Sequence, residues 1–169
     1  MNLYHVPFCA AMLFTLAPCS ASMSLGQAVV TISGDTPCFS VPDNASTQRG
    51  IPLYEISVTA YGSSATRADR LQWKMEISPP GASVQVFPGK CILYGFVPAG
   101  GIGTASKPLE PFTVYAVSVD ARPENSNLLA YLALFCMRPN ASGKLEVVTV
   151  SRSQKEGDAR FQICKKPAN

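Results

Sequence analysis

An all-β domain, a small antiparallel β-sandwich of immunoglobulin-like architecture, is the fold this sequence predicts. Three observations carry it. Apolar residues recur at every second position in several short runs, as a strand with one face on a core requires. Gly, Pro, Asn and Asp separate those runs. No stretch joins helical spacing to helical length, so about nine short strands result, the signature of a sandwich.

Along the chain, residues 27–33 (Gln-Ala-Val-Val-Thr-Ile-Ser) alternate and read as a first strand, and 34–37 (Gly-Asp-Thr-Pro) as a turn. Residues 38–41 form a short apolar strand stopped by Pro42, Asp43 and Asn44. In 53–61, Tyr54, Ile56, Val58 and Ala60 oppose Leu53, Glu55, Ser57 and Thr59. In 71–77, Leu71, Trp73, Met75 and Ile77 share one face, with Gln72, Lys74 and Glu76 on the other; such one-sided strands belong to antiparallel sheets. Residues 83–87 and 91–94 flank the turn pair Pro88-Gly89. A Gly- and Pro-rich stretch, 98–111, reads as a long loop, and 112–119 as the next strand.

Residues 128–136 are rich in Leu and Ala, good helix formers. The run stops at Arg138-Pro139, too short for a helix, and suits a strand buried on both faces. With turn residues at 140–143, it predicts a hairpin of 128–137 with 144–151. Residues 159–164 alternate again and read as a closing strand. The Cys-Trp-Cys spacing of true immunoglobulin domains does not occur, so that likeness is one of architecture.

The N-terminus is written differently. No charged side chain occurs from Val6 to Ala21, and residues 8–16 form an apolar core of signal-peptide length, short of the roughly 20 residues a membrane-spanning helix needs. Two cleavages fit. A lipoprotein peptidase would cut before Cys19, after Leu16, Ala17 and Pro18, with Pro18 standing where Gly or Ala is usual. An ordinary signal peptidase would cut after Ala21, leaving a soluble periplasmic protein. The expected organisation is a lipoprotein-type signal peptide over 1–18, a short tether over 19–26 and one domain over 27–169.

Cysteine arithmetic favours the first cleavage. Of six cysteines, Cys9 leaves with the leader, and Cys38, Cys91, Cys136 and Cys164 form an even set able to make two disulfides in an oxidising compartment. Cys19 is then odd, and acylation would remove its free thiol. Counting leaves three connectivities open; Cys136 and Cys164 at the ends of adjacent strands would pair, leaving Cys38 with Cys91.

The chemistry available is narrow. The one histidine, His5, lies in the leader, so Ser-His-Asp and Cys-His engines and His-containing zinc sites are not expected in the domain. CxxC pairs do not occur. The carboxylates, Glu55 and Glu76 among them, sit in polar registers where solvated charge is normal. Residues 95–103 (Gly-Phe-Val-Pro-Ala-Gly-Gly-Ile-Gly) lack the Gly-Lys-Ser/Thr ending of a phosphate loop. A net charge of only +3, with no basic block, excludes nucleic acid as a natural partner. No enzyme activity, cofactor or metal is therefore expected, and binding falls to surface loops, with Phe96, next to the Gly/Pro-rich loop, and Ile102, within it, as partner-contact candidates. Trp73, on an apolar register, is assigned to the core.

Three stretches, 35–42 (Asp-Thr-Pro-Cys-Phe-Ser-Val-Pro), 88–95 (Pro-Gly-Lys-Cys-Ile-Leu-Tyr-Gly) and 115–123 (Tyr-Ala-Val-Ser-Val-Asp-Ala-Arg-Pro), with 134–136 and 141–145, resemble a family of enterobacterial periplasmic lipoproteins described as type VI secretion immunity proteins. The resemblance implies a non-catalytic protein that binds and neutralises a cognate secreted effector, often a phospholipase or other lipase. It implies a lipid on Cys19, with Ser20 after it favouring the outer membrane. Two other readings fit the composition: an envelope or pilus-like structural subunit that assembles by strand addition, and a periplasmic ligand-binding module with a concave aromatic pocket.

Overall fold

The computed structural model describes residues 24–62, 70–77, 84–123, 128–150 and 161–165. Most of the period-two runs become strands. Among the described residues these are β1 (Ser24–Gln27), β2 (Val29–Ser33), β3 (Thr36–Ser40), β4 (Ile51–Ala60), β5 (Leu71–Ile77), β6 (Gln85–Val86), β7 (Ile92–Leu93), β8 (Gly101–Gly103), β9 (Tyr115–Ala121), β10 (Leu128–Pro139) and β11 (Leu145–Val150). A 3-10 turn follows at Phe161–Cys164.

Two sheets form. The main one runs β1-β10-β9-β4-β5-β8, with β11 also pairing β10 and β6 pairing the start of β4; the smaller is β2-β3-β7. The long strand β10 carries β9 on one edge, while β1 and β11 share the other, β1 along its first half and β11 along its second. All pairs are antiparallel except β1 with β10.

Alternation decides which side chains meet. The inner face of the main sheet presents Ile56 and Val58 of β4, Trp73 and Met75 of β5, Val117 and Val119 of β9, and Tyr131 and Phe135 of β10, all buried. Phe39 and Val41, from the small-sheet side, close over them in one continuous core, with the Phe39 ring stacked 6.4 Å from Trp73 and tilted 5.8 Å from Phe135. This is a β-sandwich-like fold.

A second, smaller core lies on the opposite face. Leu134, Cys136 and Val150 are buried there beneath Cys164 of the 3-10 turn. Because β10 meets the main core on one side and this cluster on the other, Ala133 through Met137 are all buried. That explains the uninterrupted Leu/Ala/Phe run.

Both disulfides expected from the sequence form: Cys38–Cys91 ties β3 to the approach of β7, and Cys136–Cys164 ties β10 to the 3-10 turn. The second pair does not join the ends of adjacent strands. Cys164 ends a 3-10 turn, not a strand, and Cys136 lies within β10 rather than at its end. Within the turn Cys164 is buried, while both Gln162 and the apolar Ile163 are exposed, so the alternation in this run does not report a packed face; residues 159–160 of the expected closing strand lie outside the described residues.

Three further expectations change. The first strand is two: the chain breaks at Ala28, where β1 in the main sheet passes to β2 in the small one, and β1 takes in residues 24–26 that had been assigned to the tether. The loop over 98–111 contains the edge strand β8, hidden in sequence because its three residues are Gly-Ile-Gly. The strand placed at 112–119 starts at Tyr115, since Phe112 sits at a φ of 66°, a left-handed conformation no strand contains. The Phe112 N–H donates to the carbonyl of Met137, anchoring that bend.

Candidate functional site

The leader, Cys19 and the alternative cleavage position after Ala21 lie outside the described residues. The site residues that the structure does place are Phe96 and Ile102. Phe96 follows a turn in which its N–H donates to Leu93 O; a second turn joins Gly101 N–H to Pro98 O and leads into β8. Val97, between them, packs beneath the strand: a Cβ on Gly103 would stand 2.3 Å from Val97 Cγ2, and one on Gly101 3.0 Å from Val97 Cγ1. Only glycine lets the strand cross Val97 this closely. With both neighbours facing Val97, Ile102 points the other way and is 66% exposed; Phe96 is 54% exposed. These are the two most exposed large apolar side chains among the described residues.

The loop is pinned on its far side. Tyr94 sets its ring edge-on to Trp73 at 5.5 Å, and its hydroxyl donates to Lys107 O at 2.7 Å while lying 3.1 Å from Gln72 O. Lys107 N–H and Thr104 N–H donate to Gln72 O and Lys74 O, extending the β8 contact along β5. Burial, with the nearby Tyr115 hydroxyl, pushes the Tyr94 phenol up to about 12. The raised value gives the sign of a pH effect: the neutral phenol favours the fold below the ordinary pKa near 10, and that contribution is lost as pH rises toward 12. Tyr94→Phe is expected to flatten this part of the alkaline stability profile, as read by thermal melts from pH 9 to 12, and to cost about 1 kcal/mol at neutral pH through the lost hydrogen bond. An unchanged alkaline limb would mean that Tyr94 does not carry the effect.

Ile102 faces the outer side of the main sheet. Across that side, Ile102 pairs with Glu76, Glu76 with Glu55, and Glu55 with Asp120. Lys74 bridges Glu55, at 3.2 Å, and Glu76, while Arg122 binds Asp120 through two bonds of 2.9 Å. Glu76 and then Glu55 hold the Lys74 ammonium pKa above its usual value. Arg122 also lies 5.4 Å from the centre of the Tyr54 ring.

Beyond this charged row the outer face becomes a groove of about 290 Å³ between β4, β9 and β10. Its floor is small: Ser57 and Thr59 on β4, Ala116 and Ser118 on β9. Leu132 and Leu134 form one wall, and Tyr61 stands at one end. Sequence reasoning missed this feature. The signal was available in the polar registers of β4 and β9, which carry Ser, Thr and Ala where a solvated sheet face commonly carries Lys, Glu or Arg.

Chemically, the arrangement offers exposed apolar side chains and a small-residue groove beside a row of charged groups. Among the described residues no group of three His, Cys, Asp or Glu side chains is placed to hold a metal ion, and no helix is long and apolar enough to cross a membrane. Two disulfides fit an oxidising, extracytoplasmic compartment. Comparison with known protein families, with characterised proteins and with solved structures finds no match to this chain.

Proposed function

We propose that this chain is a non-catalytic periplasmic immunity protein that binds and neutralises a type VI secretion effector of the lipase or phospholipase class. Acyl chains on Cys19 hold it at the outer membrane, and the loop carrying Phe96 and Ile102 is the centre of its contact surface. One observation carries the reading: the two most exposed large apolar side chains among the described residues lie on one segment, 96–102, and that segment is seated by Val97, Tyr94 and the β5 hydrogen bonds. A pre-ordered apolar pair limits the side-chain ordering cost of association, and such anchors commonly dominate protein interfaces. The acidic row beside Ile102 would add steering and register.

The test is co-expression of the full chain with each secreted protein encoded beside it, followed by co-purification and toxicity measurements. The wild-type chain is expected to form a stable complex and relieve toxicity, with the membrane-fraction product carrying a triacylated Cys19 by intact mass. Phe96→Ala with Ile102→Ala is expected to weaken the complex by about 100-fold or more, since truncating two anchors commonly costs upward of 2 kcal/mol, while the melting temperature stays near wild type. No complex and no rescue with any neighbour would sink the immunity reading. A soluble product beginning at Ser22 would separately remove the tether from it.

A further inference from the structure

Among the described residues, the outer face of the main sheet is covered along one half and grooved along the other. The Phe161–Cys164 turn, clasped by Cys136–Cys164, closes over β10 and β11. Over β4 and β9 the face is the 290 Å³ groove floored by Ser57, Thr59, Ala116 and Ser118. We infer that this groove is the seat of an amphipathic helix from a partner protein, lying along β9 with its apolar stripe toward Leu132 and Leu134 and a Lys or Arg at the Glu55–Asp120 end.

Three arguments lead to that occupant. The first concerns the backbone. A sheet face, unlike an edge, has no free peptide groups to offer, so an extended segment lying on it would leave its own N–H and C=O groups unpaired; a helix pairs them internally. The second is size. Strands β4 and β10 lie two strand spacings apart, roughly 10 Å, which accommodates a helix about 10–12 Å across when the floor side chains are small. From Glu55 to Tyr61 the floor runs roughly 20 Å, or about 13 helical residues.

The third argument is charge. Glu76, Glu55 and Asp120 stand directly opposite one another on adjacent strands, an arrangement that is unfavourable for like charges. Lys74 is shared by two of them and Arg122 serves the third, so among the described residues the row keeps an excess of one negative charge, on a chain whose net charge is +3. A cation supplied by the partner completes it. This goes beyond the immunity reading and stands without it, since the groove can be probed with no effector present.

The probe is a 14-residue N-acetylated, C-amidated helical peptide with a leucine stripe at i, i+3, i+4 and i+7. Two lysines stand at its N-terminal end, where the positive pole of the helix adds to them. Its twin carries two glutamates there. Titrated into the 15N-labelled chain with both disulfides formed, the lysine peptide is expected to shift the amides of Ser57, Thr59, Ala116, Ser118 and Leu132. It should bind about 5-fold more tightly than its twin. Ser118→Gln, which fills the floor, is expected to lower affinity about 10-fold, and Glu55→Gln to narrow the gap between the two peptides without altering the fold. Absence of shifts, shifts centred on Phe96 and Ile102 or on the β1 edge, or equal affinity for both peptides would each overturn the inference.

Discussion

Trp73→Ala is expected to destabilise the protein by about 4 kcal/mol, the upper range for emptying a core aromatic site. The magnitude follows from position. Trp73 is fully buried at the centre of β5, stacked on Phe39 and edge-on to Tyr94. It therefore joins the main sheet to the small one, and both to the loop that presents Phe96. Removing it leaves a cavity that β-sheets on either side are poorly able to collapse into. Trp73→Phe should cost far less, under about 1.5 kcal/mol, because it keeps an aromatic disc. It also discards a buried indole N–H that has no hydrogen-bond acceptor among the described residues. The midpoint of urea unfolding, followed by far-UV circular dichroism because this is the only tryptophan, measures both. A loss below 1 kcal/mol for the alanine variant would contradict the central packing role assigned to this ring.

Removal of the disulfides is expected to have a comparable effect from the side of the unfolded chain. Loop-closure entropy assigns about 3.5 kcal/mol to Cys136–Cys164, which closes a separation of 28 residues, and about 4 kcal/mol to Cys38–Cys91, which closes 53. Together these approach the whole stability of an ordinary domain, so full reduction should leave the chain largely unfolded at 25 °C. The two single removals should differ in kind. Cys136→Ala with Cys164→Ala frees the 3-10 turn and bares Leu134, Val148 and Val150, while the inner core stays intact. Binding of a hydrophobic dye should then rise under conditions where far-UV circular dichroism is still native. Cys38→Ala with Cys91→Ala loosens β3 from β7 beside Phe39, so loss of the small sheet and of the main core should come together. Dye binding that rises equally in both variants would overturn the distinction between an inner core and a separately clasped outer cluster.

How far the sequence could be read varied with the physics behind each element. Strand β5 was legible to the residue, because Leu71, Trp73, Met75 and Ile77 alternate against Gln72, Lys74 and Glu76 without interruption. The hairpin of β10 and β11 was legible too, since Asn140 and Gly143 form its turn: the Asn140 side chain accepts from Ser142 N–H and Lys144 N–H, and Gly143 takes the left-handed conformation. Strand β8 was not legible, because its existence depends on hydrogen bonds to β5 and on the fit of two glycines over Val97, neither of which leaves a periodic trace. The closing strand was misread for the opposite reason. Its alternation does not track burial: Ile163, an apolar residue of the run, is exposed, and Cys164 is held by its disulfide in a 3-10 turn.

The candidate site divides in the same way. Phe96 and Ile102 were reachable from sequence as large apolar residues in and beside a Gly- and Pro-rich loop; the exposure of each required the structure around Val97 and Tyr94 to be placed. The row of Glu76, Glu55 and Asp120 could not be seen at all, since its members come from three strands, and a register slip of one residue would send each to the opposite face.

The amino-acid sequence by itself determined the class of fold, the pairing partners available to four cysteines, the placement of Trp73 in a core and the presence of a single histidine, His5. These are properties of periodicity, composition and count, and they hold whatever path the chain takes. Tertiary structure alone decided that β10 faces two cores, that Cys164 closes a turn over the second of them, and that small side chains on β4 and β9 leave a groove beside an acidic row. Those features arise where strands distant in sequence are brought into register, and register is set by the packing of the whole sheet rather than by any one segment within it.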